Sequence, residues 1–373
     1  MSEKTIQTLL KTAFPKSDKV EWAKAAAGEI KKENPLESLS WATDDGISLL
    51  PIYDKKDISE LKYLNAFSLP PSPHGYQGVR SWINLPCVTV LDEGTANTTA
   101  LEHLANGADG ILFNIQINSL NITKLLDKIE WPYCYIAFTG NLTLSFQENI
   151  IQHLAAYQSK PLQGSIWYNT ASINSDLIRT LNDKNIQSLG INIPSSTAAN
   201  EIVYALSTAV NYVDELTNKG VDSSIAIRSI TFSFSMGANL FTEIAKLKTL
   251  RMLWYQVTQA YGVKNYQPSD LQIHARIEPG VEEKFQPHGN LLKNTLSALA
   301  SVLGGSDSLT VYAEDENNTM MCRVARNVSN ILREESHLNK VSDTVEGSFA
   351  LENMINALGQ KAWEGFISNN QKL

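Results

Sequence analysis

Short runs of β-branched and aromatic residues alternate with helical periodicity from residue 81 onward. The predicted strands are Ser81–Val90, Gly110–Ile115, Tyr133–Phe138, Gly164–Asn169, Ser188–Ile193, Arg228–Met236, Leu271–Glu278 and Ser308–Glu314. The predicted helices are Thr95–Asn106, Ser119–Ile129, Ser145–Gln158, Ser172–Asn182, Thr197–Leu216, Gly237–Tyr261, Gly289–Leu303 and Met320–Glu335. Eight such repeats predict an α/β fold, specifically a (β/α)8 barrel of the TIM type. A doubly wound open sheet remains an alternative, although no G-x-G-x-x-G follows the first strand.

The last three predicted strands alternate polar and apolar residues, whereas a buried parallel strand is usually apolar throughout. The polar residues singled out on these strands are Thr231, Ser233, Ser235, His274, Arg276, Glu278 and Tyr312. If the apolar faces meet the outer helices, this polar set lines the interior and needs water or a polar ligand. The alternative is a group of antiparallel strands with one solvated face. The long helix after each strand favours parallel crossovers.

His274, Arg276 and Glu278 share one strand face, so Arg276 could pair with Glu278 or bind an anionic ligand. A purely structural ion network explains them equally well. The histidines form no metal-binding pair motif, and the chain has no nucleophile elbow and no phosphate loop. Arg323 and Arg326 lie near the start of the last barrel helix, where dipole compensation would favour acidic residues instead.

The formal charge of −8 comes without a basic block, so nucleic acid is not expected as a partner. No apolar run approaches the length of a membrane span, and the N-terminus lacks a signal-peptide core, so we expect a cytoplasmic protein. Cys87, Cys134 and Cys322 are far apart, which favours buried free thiols over disulfides or zinc ligation.

Three segments are expected. Residues 1–80 form an N-terminal arm with a helix over Ser17–Lys31 and a Pro-rich stretch, and residues 81–335 form the barrel. Residues 336–373 form a C-terminal helical segment that packs on the barrel.

Several motifs resemble the methylmalonyl-CoA mutase family across most of the chain. "ANLFTEIAKLKTLRMLW" is similar to the family pattern F-x-E-[IL]-A-K-[FL]-R-A-x-R-x-[LI]-W. "LLKNTLSALASVLGGSDSL" and "RVARNVSNILREES" resemble two later family segments, and the N-terminal arm is similar as well. The resemblance implies a barrel threaded by coenzyme A, with adenosylcobalamin held against it by a separate C-terminal flavodoxin-like domain. Coenzyme A or an acyl-CoA in that position would contact the polar set of the last three strands.

The chain also departs from the pattern of active family members. "LGINIPSSTAANEI" lacks the His and Tyr that serve the radical chemistry, and Arg276 and Glu278 replace the Gln and Ser of a Q-T-S-G motif. The cobalamin-ligating D-x-H-x-x-G motif is absent, and we expect no flavodoxin-like domain after Leu373. The resemblance therefore implies a small, non-catalytic subunit with no catalytic, cofactor-binding or metal-binding residues.

The expected partner is a large catalytic subunit that carries adenosylcobalamin, forming a heterodimer for methylmalonyl-CoA/succinyl-CoA isomerisation in propionate metabolism. Two alternatives stay open. The first is an acyl-CoA-binding mutase barrel that is active with a cobalamin domain supplied by a separate chain. The second is an unrelated hydrolase or lyase that uses His274.

Overall fold

The structure is a computed structural model, and it describes residues 18–65, 79–157, 162–168, 175–280 and 289–370. Ser17, the Pro-rich stretch at 69–78, the end of the predicted strand at Asn169 and the start of the predicted helix at Ser172 lie outside the described residues.

Ten of the described strands form two five-stranded parallel sheets. A separate antiparallel pair comprises β1 (Trp41–Ala42) and β2 (Ser48–Leu49). The other strands are β3 (Ile83–Asn84), β4 (Cys87–Val90), β5 (Gly110–Ile115), β6 (Tyr135–Gly140), β7 (Gly164–Ile166), β8 (Ile186–Gln187), β9 (Leu189–Ile193), β10 (Ile230–Ser235), β11 (Gln272–Ile277) and β12 (Ser308–Val311). The strand orders are β3-β12-β11-β10-β9 and β4-β5-β6-β7-β8. The antiparallel alternative is wrong for the last three strands, which pair in parallel.

The two sheets are joined by short stretches of chain at both ends of their strand orders. Leu85 still donates its backbone N–H to Leu309 of β12, whereas the carbonyl of Pro86 accepts from Leu112 of β5. Pro86 has no N–H with which to continue pairing to β12, so the predicted strand Ser81–Val90 divides here. Ser188 separates β8 from β9, and its backbone N–H donates to the Ser229 carbonyl at 3.0 Å. These parallel sheets are consistent with a TIM-type barrel.

The described helices follow the strands in the predicted order. They are α1 (Lys19–Ile30), α2 (Pro35–Ser38), α3 (Glu93–Ala105), α4 (Ile122–Leu125), α5 (Leu144–Ala155), α6 (Ser175–Asp183), α7 (Ala198–Asn218), α8 (Ser223–Arg228), α9 (Leu240–Ala260), α10 (Gly289–Leu303), α11 (Thr319–Asn330) and α12 (Phe349–Asn370). The prediction missed α8, and Ser119–Ile129 is helical only over α4. Ile331–Glu335 continues α11 as a π-helical turn. No helix in the described ranges is long and apolar enough to cross a membrane.

The segment before the sheets packs partly on the helices. Asp45 accepts the backbone N–H of Ala199, at the start of α7, and Tyr63 donates its hydroxyl to Glu352 of α12. Helix α12 packs against α7 and α9 and buries Met354, among others, into the main core. Helix α1 is different, because none of its side chains is fully buried.

Candidate functional site

A small apolar cluster lies on the strand faces that point away from the helices. Its members are Ile83, Leu85, Leu112, Tyr135, Ala137 and Trp167. The alternate residues of the same strands, such as Ile111 and Phe113, belong to the main core that packs on the helices. The alternation therefore continues through the first half of the strands, but its inner face is apolar there and polar in β10, β11 and β12.

His274 joins the polar and apolar halves of this inner face. Its Nδ1 lies 2.9 Å from Ser233 Oγ, and its Nε2 lies 2.9 Å from Thr310 Oγ1. Thr310 donates its own proton to the Leu85 carbonyl at 2.6 Å, so its oxygen accepts from His274 Nε2–H. Nδ1 must then accept from Ser233. All three side chains are buried, and His274 has no ring nitrogen left for a substrate or a metal.

Trp167 covers the other side of the imidazole. Its ring centroid lies 4.6 Å from that of His274, and its indole N–H donates to Ser165 Oγ at 2.8 Å. Trp167 also occupies the space beside Gly190, because a Cβ built there would lie 2.3 Å from the indole. An L side chain at position 190 would therefore collide with the ring. His274, Trp167 and the Gly190 backbone make a closely packed layer, which we call the inner plug.

The remaining residues of the predicted polar set lie around the inner plug. Ser235 donates to the exposed Glu278 carboxylate at 3.3 Å, whereas Thr231 Oγ1 is buried and has no hydrogen-bond partner within the described part of the chain. Arg276 donates to Asn192 Oδ1 at 3.2 Å and does not form an ion pair with Glu278 within the described residues. Of the two possibilities for Arg276, the pair with Glu278 is therefore not formed among the described residues.

Burial shifts the pKa values of three groups near the inner plug toward their neutral forms. It lowers the pKa of His274 well below its ordinary value, and the Arg276 charge adds to this effect. Burial also raises the pKa of Tyr312, and it raises that of the neighbouring Cys87 thiol to about 12. The three cysteines are free, as predicted, but they are only partly buried. A neutral, fully bonded His274 is not placed to act as a general base.

The family model for methylmalonyl-CoA mutase matches residues 146–371, which is more than half of the chain. The chain belongs to the methylmalonyl-CoA mutase family. The sequence resemblance is thereby confirmed.

Relatives named as small subunits match nearly the whole chain. The methylmalonyl-CoA mutase small subunit of Porphyromonas gingivalis is 27% identical, over 95% of this chain and 63% of its own length. The small subunit of Streptomyces virginiae is 24% identical, over 96% of this chain and 64% of its own length. The Porphyromonas gingivalis large subunit is 23% identical, over 87% of this chain and 54% of its own length. The chain thus spans less than two thirds of the length of these mutase relatives.

The mutase signature on α9 has a structural explanation here. Lys246 is buried between Glu201 and Glu243, and its Nζ lies 2.7 Å from a carboxylate oxygen of each. Its ammonium also lies 5.4 Å from the Phe234 ring centroid. The signature therefore fixes α9 to α7 and β10 and leaves no free cation at this position.

Sequence reasoning missed Trp167, Gly190 and Asn192, which complete the inner face opposite the polar strands. The signal was the same period-two alternation. In "GSIWY", Ser165 and Trp167 share a face, and in "LGINI", Gly190 and Asn192 do so. A tryptophan opposite a glycine in the next strand would have indicated a filled interior.

Proposed function

We propose that this chain is a small subunit of methylmalonyl-CoA mutase, and that it supports a large catalytic subunit without itself carrying substrate. The inner plug is the observation that carries this proposal. In the family, coenzyme A runs along the barrel axis. Here Trp167 and His274 lie across the inner face, with both imidazole nitrogens bonded to protein.

We also propose that the two parallel sheets close into one (β/α)8 barrel. The chain passes from one sheet to the other at Leu85–Pro86 and again at Ser188, which are the two ends of the strand orders. Closure would turn the inner faces toward a common axis, and the inner plug would lie across it. The barrel would occupy residues 81–335, with the arm at 1–80 and the C-terminal helical segment at 336–373.

The inner face does not suit cobalamin chemistry. His274 is its only histidine within the described residues, and it offers no free nitrogen to a cobalt ion. We therefore place adenosylcobalamin in the large subunit. The similarity of this chain to both a small and a large subunit supports a partnership between related barrels.

The test is the number of acyl-CoA sites in the assembled protein. The chain is co-expressed with the large subunit encoded in the same genome, and calorimetry with methylmalonyl-CoA is run on the pair and on this chain alone. We expect one site per heterodimer and none on this chain. A stoichiometric site on this chain, or turnover when it is mixed with a free cobalamin-binding protein, would support the acyl-CoA-binding alternative instead.

A further inference from the structure

A cavity lies between helices α3 and α11, where strands β4 and β12 separate beyond Pro86. It has a volume of about 430 Å³, and we call it the α3–α11 cleft. Among the described residues, strand β12 pairs with β3 and strand β4 pairs with β5, and no ladder hydrogen bond joins β4 to β12. The apolar residues that line the cleft include Val88, Leu91, Ala96, Val311, Ala313 and Ala325.

Arg326 is the buried cation of this cleft. Its side chain is only 6% exposed, yet it forms no ion pair with a carboxylate of the described residues. The other buried arginines differ: Arg80 and Arg251 pair with Asp307, and Arg333 pairs with Asp109. A buried guanidinium stays protonated and is costly when its counter-charge is incomplete. The Glu102 carboxylate raises the pKa of Arg326, but burial lowers this pKa by more.

The donors of Arg326 are only partly used. One Nη1–H points to His103 Nδ1 at 3.0 Å, whereas Nε is buried and lacks a partner within the described ranges. Because His103 accepts through Nδ1, its proton sits on Nε2, and this nitrogen also has no described partner. Burial and the Arg326 charge lower the pKa of His103 to about 4, so this ring is neutral at pH 7. The cleft therefore combines one cation with unused N–H donors.

We propose that the α3–α11 cleft binds a small carboxylate with an apolar body, held by the Arg326 guanidinium. The planar guanidinium matches a carboxylate, and the apolar walls match a short hydrocarbon chain. Asp92 and Glu316 also line the cleft, and their negative charges repel a phosphate dianion more strongly than a singly charged carboxylate.

The experiment titrates the full-length chain with acetate, butanoate, hexanoate, hexanamide and inorganic phosphate, followed by ligand-observed NMR and thermal shift. We expect affinity for the carboxylates to rise about fourfold per added methylene. Hexanamide has the same apolar body without the charge, and it should bind at least tenfold more weakly than hexanoate. Equal binding of the amide, or tighter binding of phosphate, would overturn the proposal.

Variants locate the site. Arg326→Gln should weaken hexanoate binding at least tenfold, whereas Arg323→Gln, on the exposed side of the same helix, should leave it unchanged. Thr99→Leu projects into the cleft from α3 without touching the charge and should also weaken binding. If Arg326→Gln does not fold, Thr99→Leu and the amide control decide the question. Unchanged hexanoate binding in Thr99→Leu, or an equal loss in Arg323→Gln, contradicts the assignment.

Discussion

His274 is neutral in the folded protein because its surroundings satisfy the uncharged ring. Ser233 donates to one nitrogen, Thr310 accepts from the other, and water is excluded. Protonation would add a second N–H where the ring already accepts a hydrogen bond, and the charge would lie near Arg276. The imidazole therefore contributes to stability only while it stays uncharged.

This arrangement predicts a pH dependence of unfolding. The pKa of His274 is lowered in the folded state, so the unfolded chain binds the proton first, and stability falls as the pH drops below about 6.5. The slope is about 1.4 kcal/mol per pH unit, which gives a loss of about 2 kcal/mol between pH 7 and pH 5 from this residue. Urea unfolding at several pH values measures this loss in the free energy of unfolding.

The control separates His274 from the other histidines. In His274→Gln the loss between pH 7 and pH 5 should be smaller than in the unmodified chain by about 2 kcal/mol. His337 is exposed, so His337→Asn should keep the original dependence. An unaltered pH dependence in His274→Gln would mean that the buried ring already carries a proton in the folded state.

Gly190 allows Trp167 to lie across the inner face. Gly190→Ala places a methyl group about where the indole now lies, so we expect a destabilisation of about 2 kcal/mol and a shift in tryptophan fluorescence. Gly28→Ala is the matched control, because a Cβ there meets nothing within 4 Å. It should be neutral or slightly stabilising in the helix. Thermal unfolding compares the two, and equal melting temperatures would show that the plug is loosely packed.

At the residue scale the sequence predicts which side chains share a face, and it does not predict what they contact. The alternation of β10 and β11 places Ser233 and His274 together, as the structure has them. It does not reveal that Arg276 donates to Asn192 in β9 and does not pair with Glu278, because the partner of Arg276 depends on the geometry across strands. Trp167 lies within the predicted strand Gly164–Asn169, but it was missed because only polar residues were singled out as candidates for the inner face.

For helix α9, too, the sequence shows the pattern of residues along the element but does not show what they contact. Its basic residues are buried along its length, and each has an acidic partner on a different segment: Lys246 on Glu201, Lys248 on Asp343 and Arg251 on Asp307. The pattern of basic residues on an otherwise apolar helix therefore indicates a central helix that is fixed by ion pairs to its neighbours.

Substitution of Arg251 tests whether these buried contacts require a guanidinium group. Its Nη1 donates to the carbonyls of Pro268 and Leu271. Its Nη2 donates to the Gly305 carbonyl and, at 2.6 Å, to the Asp307 carboxylate. Lysine keeps the charge but cannot reproduce this fork, so Arg251→Lys should cost about 2 to 4 kcal/mol of unfolding free energy. Chemical denaturation measures it.

The matched control is Arg179→Lys, on the surface of α6. Arg179 pairs with Asp176 at 3.0 Å, but its side chain is 43% exposed. An exposed pair contributes little, so this variant should change stability by less than about 0.5 kcal/mol. Similar costs in the two variants would show that the buried fork is not specific to arginine.

The order of the strands and helices follows from the hydrophobic periodicity, and the element boundaries do not. Pro86 divides the first predicted strand, because it lacks the donor that would continue pairing. The short helix α8 was missed, because "SSIAIR" is too short for helical periodicity to show, and its last residue, Arg228, was assigned to the following strand. Helix α4 has four residues where eleven were predicted. It starts after Asn121, whose side-chain oxygen accepts the backbone N–H of Lys124.

At the scale of the whole molecule, the N-terminal arm divides into two parts. Residues 41–65 are attached to α7 and α12 through Asp45 and Tyr63. Helix α1 buries none of its side chains, and Val20 on it is 75% exposed. A helix of 12 residues is marginal alone in water, so we propose that the large subunit covers α1.

The exposed face of α1 can be tested as a contact with the large subunit. Val20→Asp should weaken association with the co-expressed large subunit at least tenfold, because it introduces a charge into the proposed interface. Leu292→Asp is the control, since Leu292 is equally exposed, at 75%, but lies on α10. Circular dichroism should show that both variants keep the fold, and analytical ultracentrifugation should show the heterodimer retained only in Leu292→Asp. If Val20→Asp assembles as well as the unmodified chain, the partner contacts another face, and the exposed α1 has a different role.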